Sequence, residues 1–338
     1  MKKTVLVGAV LAAFAGAAAA QSSVTLFGVI DANVRSAKSG SASIKQVGTD
    51  GLNASRLGVR GTEDLGGGLK AGFWLESALN PDTGAADGSR FWGRRATVSL
   101  SSADMGELRI GRHKVAARLA IDGFTPFETT GIGEITKAYS ALGSGADTLN
   151  RSDNQVAYSL PENLGGIYGT FELGAGEGTD GKKYTSARLG YKDKELNVAG
   201  AYAQTDAKGS KYKLSVLGAS YDFGAAVVMA TVANTKFDAY KQSIFTIGAK
   251  VPVTKEGSVR VHYAHSNAND AVALAKVADD LNILSFGYVH DMSKRTALYA
   301  TYSQIDNKGN SKVAIAGAPA AAAGQKSSAY EVGVRHSF

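Results

Sequence analysis

The chain closes with Tyr330–Phe338, YEVGVRHSF, and the reading of this stretch decides the fold. Tyr330, Val332, Val334, His336 and Phe338 fall on one face of a strand, with Glu331, Gly333, Arg335 and Ser337 on the other. Chain ends usually fray into water, so an amphipathic strand that runs to a final phenylalanine predicts an end that is tied down. Its apolar row then needs cover, from a protein core or from lipid.

The opposite end narrows that choice. MKKTVLVGAVLAAFAGAAAAQ has a basic start at Lys2 and Lys3, an apolar stretch from Val5, and the small residues Ala18, Ala19 and Ala20. This is the pattern of a secretory signal peptide, residues 1–20, cleaved to leave 21–338 as a single domain. A membrane-spanning helix fits less well, because the run is short of ~20 residues and lacks a following polar anchor. The chain carries 37 basic and 30 acidic residues, and two of the lysines belong to this leader. The remaining charges are mixed in sign along the sequence, which argues against a nucleic-acid-binding stripe. There is no cysteine, so disulfides, thiolate catalysis and cysteine-ligated metals are excluded. The 41 glycines against 5 prolines point to many tight turns.

Between the ends, the period is two almost everywhere. LKAGFWLESAL sets Leu69, Ala71, Phe73 and Leu75 against Lys70, Gly72, Trp74 and Glu76, and NQVAYSL separates Val156, Tyr158 and Leu160 from Gln155, Ala157 and Ser159. Short turns recur at EDLGGGLK, SSADMGEL, PENLGG, YKDKEL, YDFGAA, PVTKEGS and HDMSKRT. Alternating with them are eight segments, often longer and more polar: 36–50, 80–89, 115–150, 176–183, 206–210, 238–241, 267–279 and 307–327. Those connections predict sixteen strands of about ten residues, short turns at one end and longer loops at the other, as a transmembrane β-barrel requires. Lipid offers no hydrogen bonds, so the sheet must close on itself. YEVGVRHSF would then pair with SSVTLFGVID at the start, its apolar row facing lipid or a neighbouring subunit. A soluble β-sandwich also alternates, but suits fewer strands.

Several stretches resemble the general trimeric porins of the proteobacterial outer membrane. They are SSVTLFGVID, SRLGVRGTEDLGGGLKAGFWLE, RRATVSLSSADMGELRIGR, FTPFETTG, YVHDMSKRTALYATYSQID and the final phenylalanine. The resemblance covers essentially the whole chain after the leader. It implies an all-β, 16-stranded antiparallel barrel with short periplasmic turns, long outer loops and an inward-folded third loop. It also implies a homotrimer in outer-membrane lipid, delivered by the barrel-assembly machinery, that passes ions and small hydrophilic solutes passively and needs no cofactor.

The segment 115–150 is the longest connection, and long loops in compact proteins are usually functional. It contains Asp122, Glu128, Glu134, Lys137 and Asp147. The resemblance makes PFETTG the tip that approaches the wall and Glu128 the leading acid; Asp122 and Glu134 are further acidic candidates on the same loop. Alternation alone proposes the facing arginines. With Leu57 and Val59 toward lipid, Arg56 and Arg60 point inward; an arginine at mid-membrane on the lipid face would cost ~2–4 kcal/mol. In RRATVSL, alternation selects Arg95 whereas the resemblance selects Arg94, and both stand as candidates. Arg151 shares the inward face with Asp153, Gln155 and Ala157. The resemblance assigns Arg56, Arg94 and Arg151 to the basic half of a constriction, while Lys70, Glu76, Glu107 and Arg109 are candidates for the wall. The plainer readings are an outer flap for the loop and ordinary solvated wall charges for the arginines.

An enzymatic reading finds little support. His262 and His265 are three apart on a strand, hence on opposite faces and poor co-ligands for one metal. GAGEG and GIGEIT lack the strand-to-helix frame of a phosphate loop. The sequence therefore predicts a diffusion channel with a weak lean toward anions, and a substrate-selective channel or an adhesion barrel is the alternative.

Overall fold

The computed structural model describes residues 23–86, 88, 90–128 and 130–338. The proposed leader lies outside the described residues.

Strand β1 (Ser23–Ser39) turns at Gly40 into β2 (Ala42–Thr49), and β3 (Arg56–Gly66) follows a bend at 50–55. Then come β4 (Leu69–Asn80), the two-residue β5 (Ala85–Ala86), β6 (Arg95–Ser102) and β7 (Gly106–Lys114). The long connection holds helix α1 (Ala116–Asp122) and leads to β8 (Arg151–Ser159). There follow β9 (Ile167–Gly174), β10 (Tyr184–Lys192), β11 (Leu196–Ala207), β12 (Ser210–Asp222), β13 (Val227–Phe237) and β14 (Tyr240–Pro252). The last elements are β15 (Gly257–Ala268), helix α2 (Asp270–Ala275), β16 (Leu281–Asp291), β17 (Thr296–Asn307) and β18 (Lys326–Ser337).

Every neighbour is antiparallel and the sheet is closed. β1 pairs with β18 from Val29↔Ser337 to Ser39↔Ser327, and with β3 from Ser23↔Thr62 to Val29↔Arg56. Segments β2 and β3 occupy one stave, and β5 is a flap on the end of β4, so the barrel has sixteen staves. The closing seam accounts for the terminal phenylalanine. Gly28 N–H donates to the Phe338 carbonyl and Phe338 N–H to the Gly28 carbonyl, each at 3.1 Å. The Phe338 ring lies over Gly28, where an added Cβ would meet Phe338 Cζ at 2.4 Å. Tyr330, Val332, Val334 and Phe338 are exposed on the outer surface, while Glu331 is buried inside.

One connection departs from expectation. Segment 36–50 is mostly strand, because β1 and β2 run on as a hairpin with its turn at 40–41. The segment looks loop-like in sequence, but Ala37 and Ser39 are buried facing inward, while Lys38 faces outward. The irregular piece is displaced to 50–55, where Asp31 organises the backbone. Its carboxylate accepts from the N–H groups of Gly51 (3.1 Å), Leu52 (2.8 Å) and Asn53 (2.7 Å), and from the Tyr299 hydroxyl (2.5 Å). A three-amide acceptor of this kind holds a bend that propensity alone would leave open.

The interior has two unlike walls. From β3 to β8 the inward row is polar and charged. From β10 to β17 it includes Tyr212, Leu214, Val216, Ile244, Ile283 and Ile305, all buried in one apolar cluster with residues of the long connection such as Ile121, Ile135 and Leu142. The segment 115–150 therefore lies inside the barrel, packed on one wall.

Candidate functional site: the channel constriction

The inward loop is anchored at both ends and along its length. Where it leaves β7, the Glu172 carboxylate of β9 accepts from Ala116 N–H at 2.7 Å and from the Tyr184 hydroxyl. Farther on, Ser140 N–H donates to Gln242 Oε1 (3.0 Å) and the Tyr212 hydroxyl to the Ser140 carbonyl (3.0 Å). Between these ties, three mid-strand glycines act as sockets. A Cβ on Gly218 of β12 would meet Phe124 at 2.1 Å, on Gly248 of β14 Pro126 at 2.7 Å, and on Gly287 of β16 Phe127 at 2.8 Å. Glycine inside a strand marks a close approach, and here the approaching groups are the rings of the loop tip. Arg260 Nη1 donates to the Pro126 carbonyl at 3.1 Å, and Thr130 Oγ1 to the Asp50 carbonyl at 3.3 Å.

Docking Phe124, Pro126 and Phe127 leaves Glu128 exposed at the tip, with a left-handed φ of 53°. It borders a narrow cavity of ≈ 210 Å³ with Arg56, Arg94, Lys114, Arg118 and Arg151 on the far side. The basic wall is partly neutralised. Arg94 Nε donates to Glu76 Oε1 at 2.5 Å, with Arg56 Nε 3.8 Å from the same oxygen. Arg118 Nε donates to Asp122 Oδ1 at 2.7 Å, and Lys114 pairs with the other Asp122 oxygen. Arg151 Nε donates to the Arg94 carbonyl at 2.9 Å.

Both arginines of RRATVSL reach the interior. Arg94 precedes β6, so strand alternation does not govern it, and Arg94 N–H donates to the Glu76 carbonyl at 3.1 Å. Arg95 opens β6 in the inward register and lies one step toward the short turns, its guanidinium carbon 4.4 Å from the Trp74 ring. Arg60, Lys70, Glu107 and Arg109 share that inward face below the cavity. Of the loop acids, Glu128 lines the cavity and Asp122 lies behind it. Glu134 instead pairs with Lys137 at 3.7 Å, away from the cavity lining. Sequence reasoning missed Lys114 and Arg118, since a register shift between Gly111 and His113 breaks the alternation there. It also missed the socket glycines, whose mid-strand positions carried a usable signal.

Charges set around a water-accessible gap select solutes by field and diameter, with no bond made or broken. Comparison with known proteins agrees. Residues 8–310 match a family described as Gram-negative porin. The chain is 38% identical to outer membrane porin protein 32 of Delftia acidovorans over the full length of both. It is 28% identical to major outer membrane protein P.IB of Neisseria meningitidis serogroup B, again over both full lengths. An anion-selective porin from Comamonas acidovorans superposes with a TM-score of 0.85 at 37% identity, covering 94% of this chain and 100% of that one. Family and fold point to a channel, not an enzyme. The chain belongs to the Gram-negative porins, and its barrel is an outer-membrane channel for passive diffusion of ions and small hydrophilic solutes.

Proposed function

We propose that the gap between Glu128 and the basic wall is the selectivity constriction of this channel, and that it prefers anions. The observation that carries the reading is the charge balance at the cavity. Arg56, Arg94, Lys114, Arg118 and Arg151 meet Asp50, Glu128 and the tied carboxylates of Glu76 and Asp122. Arg260, whose Nη1 donates to the Pro126 carbonyl at 3.1 Å two residues before Glu128, adds positive charge behind the tip. A small positive excess gives a weak preference, in keeping with a passage open to many solutes. The relative from Comamonas is described as anion-selective, which supports the same sign.

The channel carries out no chemical step. It works as a homotrimer in outer-membrane lipid, inserted by the barrel-assembly machinery after removal of residues 1–20, and 115–150 is its constriction loop. Purified protein in a planar bilayer, under a KCl gradient, tests the reading. Open, ohmic steps with a reversal potential displaced toward chloride are expected. A cation-displaced potential would overturn the charge assignment, and absence of current would overturn the channel.

A further inference from the structure

On the outer surface, β12 to β14 end toward the outer loops in a row of lysines. Lys213 of β12 lies directly opposite Lys236 of β13, and Lys236 directly opposite Lys241 of β14. The flanking Tyr212, Leu214, Thr235, Phe237 and Gln242 are buried inside, so by alternation the three lysines face the membrane. Among the described residues, none of the three has a carboxylate within ion-pair distance; Asp206 on the next strand is shared by Lys183 at 3.5 Å and Lys211 at 3.7 Å. Like charges directly opposite across a sheet destabilise it, so the row calls for an anionic partner.

The rows beneath it grade from polar to apolar. Ser215, Asn234 and Ser243 come first, and Ser243 Oγ donates to Asn234 Oδ1 at 2.8 Å, which leaves the Asn234 amide N–H groups to an outside acceptor. Leu217, Val232 and Phe245 follow, all exposed. Successive rows lie ~7 Å apart, so charge, hydrogen-bond donors and apolar surface succeed one another over ~14 Å. Alongside, a groove of ≈ 450 Å³ runs past Val156, Phe171, Leu173 and Tyr202, with Thr185 and Ala187 in its lining. Thr185 stands opposite Gln204 and Gln204 opposite Lys213, so the groove reaches within two strands, about 10 Å, of the lysine row.

We infer that this face is a docking site for a phosphorylated acyl lipid of the outer leaflet. Its phosphates lie over Lys213, Lys236 and Lys241, which attract anionic headgroups as basic residues beside a membrane do. Its polar linkages meet Ser215, Asn234 and Ser243, and an acyl chain fills the groove beside Phe171 and Tyr202. The order of charge, polar group and apolar surface is that of a lipid followed from water to bilayer core. A protein partner would instead have to carry its own acidic row into the membrane interface. The site lies outside the barrel and is independent of which ion the constriction prefers.

Purified full-length protein in non-ionic detergent, titrated with diphosphoryl lipid A and followed by native mass spectrometry, tests the site. The unmodified protein should bind this lipid about tenfold or more tightly than the same lipid with both phosphates removed, and millimolar inorganic phosphate should not displace it. Lys213→Gln, Lys236→Gln and Lys241→Gln together should weaken binding by about tenfold or more. Lys194→Gln, Lys255→Gln and Lys294→Gln remove the same charge at the short turns and should leave binding as it was. Ala187→Phe, which fills the groove, should weaken both lipid forms. The first triple variant should keep the wild-type reversal potential, so the docking site and the constriction fail separately. Equal binding of the two lipid forms by the unmodified protein would overturn the site without any variant. Equal losses in the two triple variants would reduce it to bulk charge, and displacement by inorganic phosphate would make it a free-anion site; either result overturns the lipid.

Discussion

Glu76→Gln should make the channel more anion-selective, although it alters the basic side of the constriction and leaves Glu128 in place. Glu76 Oε1 accepts from Arg94 at 2.5 Å and lies 3.8 Å from Arg56, so one carboxylate offsets part of the field of two arginines. Glutamine keeps the shape and one acceptor toward Arg94, but removes the charge that both carboxylate oxygens share and puts an amide nitrogen where Oε2 now accepts from Trp74 Nε1 at 3.2 Å. A unit charge ~5 Å from a passing ion acts with about 0.8 kcal/mol in water, and about 0.5 kcal/mol after screening at 0.1 M salt. Removing it raises anion occupancy about twofold and lowers cation occupancy as much, a change of about fivefold in the permeability ratio. At 1 M the Debye length falls to ~3 Å, and the same arithmetic leaves less than about twofold. Reversal potentials across KCl gradients, at low and high mean salt, read both numbers. A shift toward cations, or an equal shift at both salt levels, would refute the reasoning.

Other perturbations address the remaining parts. Arg56→Ser with Arg151→Ser should raise conductance and move the reversal potential toward cations, and Glu128→Gln should move it toward anions with little change in conductance; unchanged potentials at low salt would place these residues outside the narrow zone. Gly248→Val or Gly287→Val should push Pro126 or Phe127 off the wall, at a cost of ~1–3 kcal/mol for overpacking, and give larger, noisier current steps. A quiet, wild-type conductance from a folded Gly248→Val barrel would discount the sockets. Deleting Phe338 should lower the yield of folded protein in the outer membrane, and Gly28→Val should do the same, since its Cβ would occupy the space of the Phe338 ring. Phe338→Tyr should be tolerated; normal heat-modifiable trimer from the deletion would sink the seam argument.

What the sequence made legible follows from which forces are local. The period of two, the seven short turns and the closing of the last strand on the first all depend on alternation and closure, and they appear as expected, although YEVGVRHSF meets residues 28–36 and so only the GVID end of SSVTLFGVID. The exception at 36–50 arises because the polar, serine-rich stretch with Lys38 and Lys45 reads as a loop, whereas Ser36–Ser39 and Ala42–Thr49 pair as a hairpin. The tension between Arg94 and Arg95 dissolves for a related reason. Alternation is a rule about strands, and β6 begins one residue after Arg94. Lys114 and Arg118 were hidden by a register shift and a short helix, neither of which alternation can foresee.

The division of the inner wall explains why the charges around the gap at Glu128 lie where they do. A loop held inside a water-filled barrel must bury apolar surface to offset the entropy of ordering it, and each buried Ile, Leu or Phe contributes ~1.5–3 kcal/mol. That surface has to come from the lumen face, so β10 to β17 carry Tyr212, Leu214, Ile244 and Ile283 where a simple polar-in rule would place hydrophilic residues. Gly218, Gly248 and Gly287 then set the depth at which the loop rings seat. Once the loop is committed to that wall, its acidic tip faces the opposite one, where Arg56, Arg94 and Arg151 line the gap. The opposed charges around that gap are therefore a consequence of how the loop is held, which is why a glycine in a distant strand is expected to change what passes through the pore.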